Sequence, residues 1–424
     1  MRARSSAWPT VRLSELQASK RYALNGGPFG SKLVSSDYVP EGVPVIRGTN
    51  LPEHSRFSTS DLVFVSELKA DELLPNNAHP GDLVFTQRGT LGQVGLIPRT
   101  SAFSRFVISQ SQMKLTVDER KADAGFLYYY FRAPRTVKQI HNLAFSTGVP
   151  HINLDILRNF EVTLPPLPVQ KRIRTFLSAY DDLIENNTRR IRILEEMAQA
   201  IYREWFVHFR FPGHKKVKLV PSPLGAIPEG WEAKKLGEVC DIVMGQSPKS
   251  EFYNEQGDGL PFHQGVTDFG LHFPEDRVYC TVQNRIAEAG DILFSVRAPV
   301  GRINVTLGRI VIGRGLCAIR NQKRNQVFTL HQLKERFAEE DTMGGGTIFK
   351  AVTKEEVHGI GFLQPSREIL QSFEDRCHSM DRLIEFLTQK NTNLRTTRDL
   401  LLPKLISGEV DVSALNINVG EAAA

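Results

Sequence analysis

Between residues 167 and 209 apolar side chains recur at Ile173, Leu177, Tyr180, Ile184, Ile191, Leu194, Ala198, Ile201 and Trp205, and Asn187 fills the one polar place in the series. The steps alternate four and three, which is the spacing of a coiled-coil seam. Pro166 and Pro168 stand where a helix tolerates proline, at its entrance, and Pro212-Gly213 ends the pattern. At 1.5 Å per residue such a helix is a rod of roughly 60 Å. A single globular domain rarely needs one; a molecule that holds two things apart does.

The partner of that rod is in the same chain. Adding 200 to each seam position gives Phe373, Cys377, Met380, Ile384, Leu387, Asn391, Leu394, Arg398, Leu401 and Leu405, again mostly apolar. Pro365 precedes this segment as Pro165 precedes the first, and Pro403 falls near its end. If position x on one helix faces 578 − x on the other, all ten seam positions pair antiparallel, and Asn187 faces Asn391. A buried Asn pair fixes register at some cost in stability; the alternative is two solvated breaks in the seam.

The globular parts repeat as well. Trp8, Leu13 and Glu15 return 223 residues later as Trp231, Leu236 and Glu238, and GDLVF at 81–85, with Arg88 and Gly92, returns 209 later as GDILF at 290–294, with Arg297 and Gly301. Short β-rich strings such as VPVIRG, DLVFTQ and VGLIP alternate with Gly/Pro turns, and FLYYYFRAP (126–134) and TVKQIHNLAF (136–145) read as short helices. The expected fold is α+β: two mixed α/β domains separated by a long antiparallel two-helix coiled coil, with a pseudo-two-fold internal repeat. The expected segments are a first domain at 1–165, a first long helix at 166–210, an extended Pro/Gly-rich linker at 211–230, a second domain at 231–364, a second long helix at 365–406 and a tail at 407–424.

Composition excludes several classes. A hydrophobic fraction of 41% and a charged fraction of 24% are those of an ordinary soluble protein, and no apolar run reaches the roughly 20 residues of a membrane span. The start, MRARSSAWPT, is basic without an apolar core behind it, so it does not read as a secretory signal. Four scattered cysteines, Cys240, Cys280, Cys317 and Cys377, fit reduced thiols in a cytosol and form no metal-ligand spacing. His263, His272 and Cys280 are too far apart for a zinc site and read as turn or surface residues. The net charge of +6 hints at a polyanion partner, and a basic run lies at Arg297, Arg302, Arg309, Arg314, Arg320, Lys323 and Arg324.

No catalytic constellation emerges. Gly26-Gly27-Pro28-Phe29-Gly30-Ser31-Lys32 resembles a phosphate loop but has Ser before Lys, the wrong order; it reads either as a backbone turn near DNA or as a plain structural turn. Gly344-Gly345-Gly346 lacks the spacing of a dinucleotide fingerprint. There is no G-x-S-x-G elbow and no Asn/Asp-Pro-Pro-aromatic motif of amino-group methylation.

At this point the chain resembles, over nearly its whole length, the specificity subunits of type I restriction–modification systems. The resemblance rests on GGPFGSKL (26–33), IRGTNL (46–51), GDLVF (81–85), LPPLPVQKRI (164–173), NNTRRIRILEEMAQAIYREWF (186–206), SPLGAIPEGWE (222–232), MGQSPKSEFYN (244–254), LPFHQG (260–265), GDILF (290–294) and LLLPKLISGEVDV (400–412). It implies two target-recognition domains, each reading one half of a bipartite site on double-stranded DNA. The helix pair would set the gap and dock two modification subunits, which bring S-adenosylmethionine and methylate adenine. Two restriction subunits would add ATP- and Mg-dependent cleavage. This chain would bind no cofactor and no metal itself, catalyse nothing, touch no membrane and be cytoplasmic. The rival readings are a fused methyltransferase–nuclease, for which the chain has no room, and a coiled-coil adaptor or DNA-binding protein outside restriction–modification.

For DNA contact the candidates are Ser31, Lys32, Arg47, Arg88 and Arg105 in the first domain, and Gln246, Ser247, Lys249, Arg297, Arg302 and Arg314 in the second. Arg reads guanine, Gln reads adenine, and Lys and Arg hold phosphates. Arg88 and Arg297 occupy matching places, which fits a shared phosphate contact or a shared scaffold salt bridge. Extra apolar positions beside the seam, Phe176, Leu183, Met197, Leu370, Leu383 and Phe386, suggest a wider bundle and so a docking face for the modification subunits, unless the globular domains cover them.

Overall fold

The computed structural model describes residues 8–53, 55–144, 150–338 and 351–412. Gly344 to Gly346, the first seven residues and the tail beyond Val412 lie outside them. The chain divides into two compact units, Met1–Asn186 with Thr392–Ala424, and Asn187–Asn391. The division falls inside both long helices, so each unit owns a stretch of each.

The two units are built alike. In the first, a four-stranded sheet has the order Leu24–Gly26, Gln112–Leu115, Leu83–Thr86, Val94–Leu96. A five-stranded sheet has the order Tyr38–Val39, Val63–Val65, Val43–Ile46, Phe106–Ile108, Asn77–Ala78. In the second unit the four-stranded order is Cys240–Met244, Leu316–Asn321, Ile292–Ser295, Ile303–Val305, and the five-stranded order is Tyr253–Asn254, Tyr279–Cys280, Leu260–His263, Ile310–Ile312, Ile286–Ala287. Each five-stranded sheet carries a parallel pair at the same place, Val43–Ile46 with Phe106–Ile108 and Leu260–His263 with Ile310–Ile312. Paired strands are thus related by offsets near 204 and 217, between those of the sequence repeats. Chain has been gained or lost in the connections while the strand pairings stayed.

One short helix in each unit ties the sheets to the rods. Ala124–Arg132 begins on Asp123, whose carboxylate caps the amide of Phe126. Almost all of its residues are buried, because one side meets the sheet and the other meets the long helices. Its counterpart is Gln326–Arg336, buried along most of its length. FLYYYFRAP therefore is a helix, and the second short helix runs Pro134–Leu143.

The long helices run Leu167–Tyr202, followed by a π-helical turn at Arg203–Val207, and Arg367–Ile406. The second continues through Pro403 for three residues before Gly408, with φ +74, turns the chain away. In the first unit Ile173 and Leu177 share a core with Leu402, Leu405 and Ile406. In the second, Ile191, Ala198, Trp205, Phe373, Cys377, Ile384 and Leu387 share another. The packing is antiparallel. Within the second unit the Asn187 amide donates to Asn391 Oδ1 at 2.9 Å, both residues buried, and Trp205 lies 6.2 Å from Phe373. Both pairs obey the 578 − x rule. The seam is uneven, however: Tyr180, Leu194, Ile201, Met380, Leu394 and Leu401 are only half-buried, because a two-helix ribbon leaves one flank of the stripe near solvent. Arg398, an apparent misfit in the apolar series, is buried and ion-paired with Asp181 at 2.5 Å.

Two expectations are corrected. Residues 211–230 are no extended linker: Leu219–Ser222 pairs with Gly225–Pro228 as a hairpin, and Phe211 and Ile227 sink into the core of the second unit. Gly225 at φ +94 and the Ser222 hydroxyl, donating to Gly225 O at 2.7 Å, make the turn. His263, His272 and Cys280 are buried, not at the surface. Each histidine is taken inside with a carboxylate: His263 Nε2 lies 2.9 Å from Asp276 and His272 Nδ1 2.6 Å from Glu195.

Candidate nucleic-acid interface

Four loops meet at one edge of each unit, and a glycine starts the first of them. In the first unit Gly27 N donates to Gln112 O at 2.8 Å as the chain leaves strand Leu24–Gly26. A Cβ on Gly27 would fall 2.0 Å from Ser109 O, so only glycine fits. The chain then turns through Gly30, at φ +61, into a 3-10 turn at Gly30–Lys32. Gln110 pins that turn from the neighbouring loop, its amide donating to Gly30 O at 2.7 Å and Leu33 O at 2.9 Å. Ser31, Lys32 and Phe29 are left exposed.

The second loop follows Ile46. Arg47 N donates to Asn50 Oδ1 at 2.9 Å, and buried Asn50 in turn donates to Ser58 O and Ser60 O. Ser109 N bonds Ile46 O at 2.9 Å, which brings this loop beside the 109–112 turn. The third loop, 87–92, joins the same edge through Gln87 N to Ser111 O at 2.7 Å. Arg88 bridges His151 through the backbone.

The second unit repeats this geometry with other side chains. Gly245 N donates to Leu316 O at 2.9 Å, and a Cβ there would fall 2.1 Å from Gly313 O. Ser247 Oγ donates to Gln264 Oε1 at 2.7 Å and accepts from Arg314 N at 3.2 Å. Val296 N bonds Gly315 O at 2.9 Å, and Arg297 bridges Ala351 as Arg88 bridges His151. Gln246, Lys249, Arg297 and Arg314 are exposed.

The structure therefore gathers Ser31, Lys32, Arg47 and Arg88 on one edge, and Gln246, Ser247, Lys249, Arg297 and Arg314 on its counterpart. Arg105 stands apart: Asp71 at 2.6 Å and Glu67 take its guanidinium, so it braces helix Glu67–Glu72. Arg47 spends Nη2 on Asp61 O at 2.5 Å. Arg302 sits where the hairpin returns, its amide donating to Ser295 Oγ at 2.8 Å. Among the described residues no carboxylate pairs with the guanidinium group of Arg88 or Arg297. Sequence reasoning passed over Phe29, Gln110 and Gln264. Phe29 and Gln264 lie inside the quoted strings GGPFGSKL and LPFHQG, and Gln110 gave no signal, since its role depends on a turn 80 residues away.

On the rods, Leu183, Met197, Leu383 and Phe386 are exposed, as are Ile193 and Leu400, which the sequence reading did not name. Phe176 is half-buried against the first core. Leu370 is corrected: at 4% exposure it belongs to the second core and offers no outer face.

Among the described residues no group of three or more His, Cys, Asp or Glu could hold a metal, and no helix is long and apolar enough to cross a membrane. Burial pushes the thiols of Cys240, Cys317 and Cys377 up to about 12, far from a reactive thiolate.

Comparison with known proteins gives a consistent result. The family model for the type I restriction modification DNA specificity domain matches twice, at residues 8–196 and 228–396. The chain is 29% identical, over 88% of both chains, to the protein assigned as the MjaX type I restriction enzyme specificity subunit of Methanocaldococcus jannaschii. It is 22% identical to the HindI specificity subunit of Haemophilus influenzae, over 72% of this chain and 81% of that one. A type I restriction–modification S subunit from M. genitalium shares the fold, with a TM-score of 0.52 and 18% identity over 94% of this chain and 96% of that one.

Proposed function

The chain belongs to the type I restriction modification DNA specificity family, and from that premise we propose that it reads a split DNA target, one half with each four-loop edge. It is the DNA-recognition subunit of such a system and not its catalyst. The observation that carries the reading is the duplicated edge. Two copies of one loop scaffold, fixed by Gly27 and Gly245, display different side chains at matching positions. Phosphate contacts by Lys32, Arg88, Lys249 and Arg297 would give affinity and salt dependence, and the remaining polar groups would give specificity. The helix pair sets the gap between the half-targets. The exposed apolar residues Leu183, Met197, Leu383 and Phe386 support docking of two modification subunits, which supply S-adenosylmethionine and methylate adenine. Two restriction subunits, using ATP and Mg, cleave unmodified DNA in the cytoplasm.

The test is a methylome. The chain is expressed with its modification subunit in a host free of adenine methylation, and modified adenines are mapped by long-read sequencing. A single split motif methylated on both strands is the expected result. An assembled, cofactor-supplied complex that adds no methylation would remove the specificity role and leave the adaptor reading.

A further inference from the structure

Phe29 is 83% exposed, more than any other large hydrophobic residue among those described. Such exposure is ordinary on a floppy tail, but this residue sits in a built loop. Gly27 presses against Ser109 O, Pro28 restricts the backbone beside it, Gly30 takes the left-handed turn, and the Gln110 amide donates to both Gly30 O and Leu33 O. The ring is thus displayed by a fixed scaffold, at a standing cost in exposed apolar surface. Its neighbours Ser31 and Lys32 are exposed on the same turn and suit phosphate oxygens.

The matching position in the second unit sharpens the point. Two residues beyond Gly27 stands Phe29; two residues beyond Gly245 stands Ser247, held by Gln264 and Arg314 beside the exposed Gln246. One scaffold presents an apolar tip, the other a hydrogen-bonding one.

Building on the DNA-reading role of these edges, we propose that Phe29 is a base-contacting residue of the first unit, its ring packing against the 5-methyl group of a thymine in the major groove. A phenyl ring neither donates nor accepts a conventional hydrogen bond. Of the groove edges the bases present, thymine's methyl is the apolar one. Wedging the ring between base pairs would instead require unstacking them.

The experiment uses the full chain assembled with its modification subunits. The probes are a duplex carrying the motif found by methylation mapping, a motif-free duplex, and motif duplexes in which each thymine in turn is replaced by uracil, which deletes only the methyl group. For the unsubstituted complex, one uracil in the first half-target should weaken binding about four-fold, the worth of one buried methyl. Phe29→Ala should lower affinity for the motif about ten-fold, abolish that uracil effect, and leave motif-free binding unchanged. Phe29→Leu should keep part of the uracil effect. Unchanged affinity in Phe29→Ala, a uracil profile identical to that of the parent chain, or an equal loss on motif-free DNA would each overturn the proposal. A parent complex with no preference for the motif duplex would instead overturn the DNA-reading role itself, and this inference with it.

Discussion

The joint between short helix and rods is made of different chemistry in the two units. In the first, Asp181 is buried between Arg398, at 2.5 Å, and the Tyr129 hydroxyl, which donates at 2.6 Å. Arg398 also reaches Asp399 at 2.9 Å. In the second, the residue at the place of Arg398 is Ala198, and the polar work passes to histidines. Glu195 joins His272 at 2.6 Å and Lys334 at 2.9 Å, while His331 Nδ1 meets Gln199 at 2.7 Å. Burial pushes the Glu195 carboxyl up, but its bonds to His272 and Lys334 overcome this and hold it at about 2. One fold can thus fasten the same helix with a permanent ion pair or with titratable rings. Conserved strand pairings set the position of the joint, not the groups that fill it.

The comparison breaks most sharply at Arg398. Arg398→Ala leaves Asp181 buried without its cation, at a cost of about 3–5 kcal/mol. Hydrogen exchange should show helix Ala124–Arg132 losing protection while Gln326–Arg336 keeps its own. Equal loss in both helices would mean that the joints are not independent. Arg398→Met with Asp181→Asn should recover part of the loss, because the uncompensated charge is gone.

A smaller effect is expected at the Asn pair, which holds the register in the second unit. Asn187→Ala strands part of Asn391, whose amide also donates to Thr188 at 3.2 Å, and should cost about 1–3 kcal/mol in denaturant unfolding. Replacing both by leucine should be nearly neutral or stabilising. If the double variant loses the sum of what Asn187→Leu and Asn391→Leu lose singly, the pair carries no coupling.

The smallest effect is in acid. Burial, with the nearby charges of Lys334 and His272, lowers the His331 imidazole to about 3. The unfolded chain therefore takes a proton below the ordinary histidine value of about 6.5 that the folded chain refuses, and the second unit loses stability as pH falls. Glu374 acts oppositely. Burial raises it to about 7, so its contribution is present in acid and lost as pH rises through that value. Between pH 7 and 5 the two partly cancel. Protection of Gln326–Arg336, corrected for the intrinsic pH dependence of amide exchange, should therefore stay nearly level from about pH 7 to about 5.5, and should fall over that range in Glu374→Gln, where only the His331 loss remains. In the first unit Tyr129, driven further up by burial and Asp181, gains no charge in this range. The same acid response in Ala124–Arg132 would refute the assignment to His331.

By itself the sequence determined whatever is periodic or repeated. Both rods and their antiparallel register follow from seam spacing, because a helix writes its buried face every three or four residues; that Asn187 and Asn391 meet inside the seam, and are not two solvated breaks, was decided by the structure. The doubled domains follow from GDLVF and GDILF. Tertiary structure decided whatever depends on residues far apart in the chain. Leu370 looks like an outer-face residue until the second core covers it. Arg105 looks available for DNA until helix Glu67–Glu72 brings two carboxylates to it. His272 is inside because Glu195, 77 residues away, receives it, and Gln110 matters because sheet pairing sets it beside Gly30. Local spacing encodes which face of an element is apolar; only the packed fold brings a distant partner to a polar group, and that partner decides whether the group braces the scaffold or is left for a ligand.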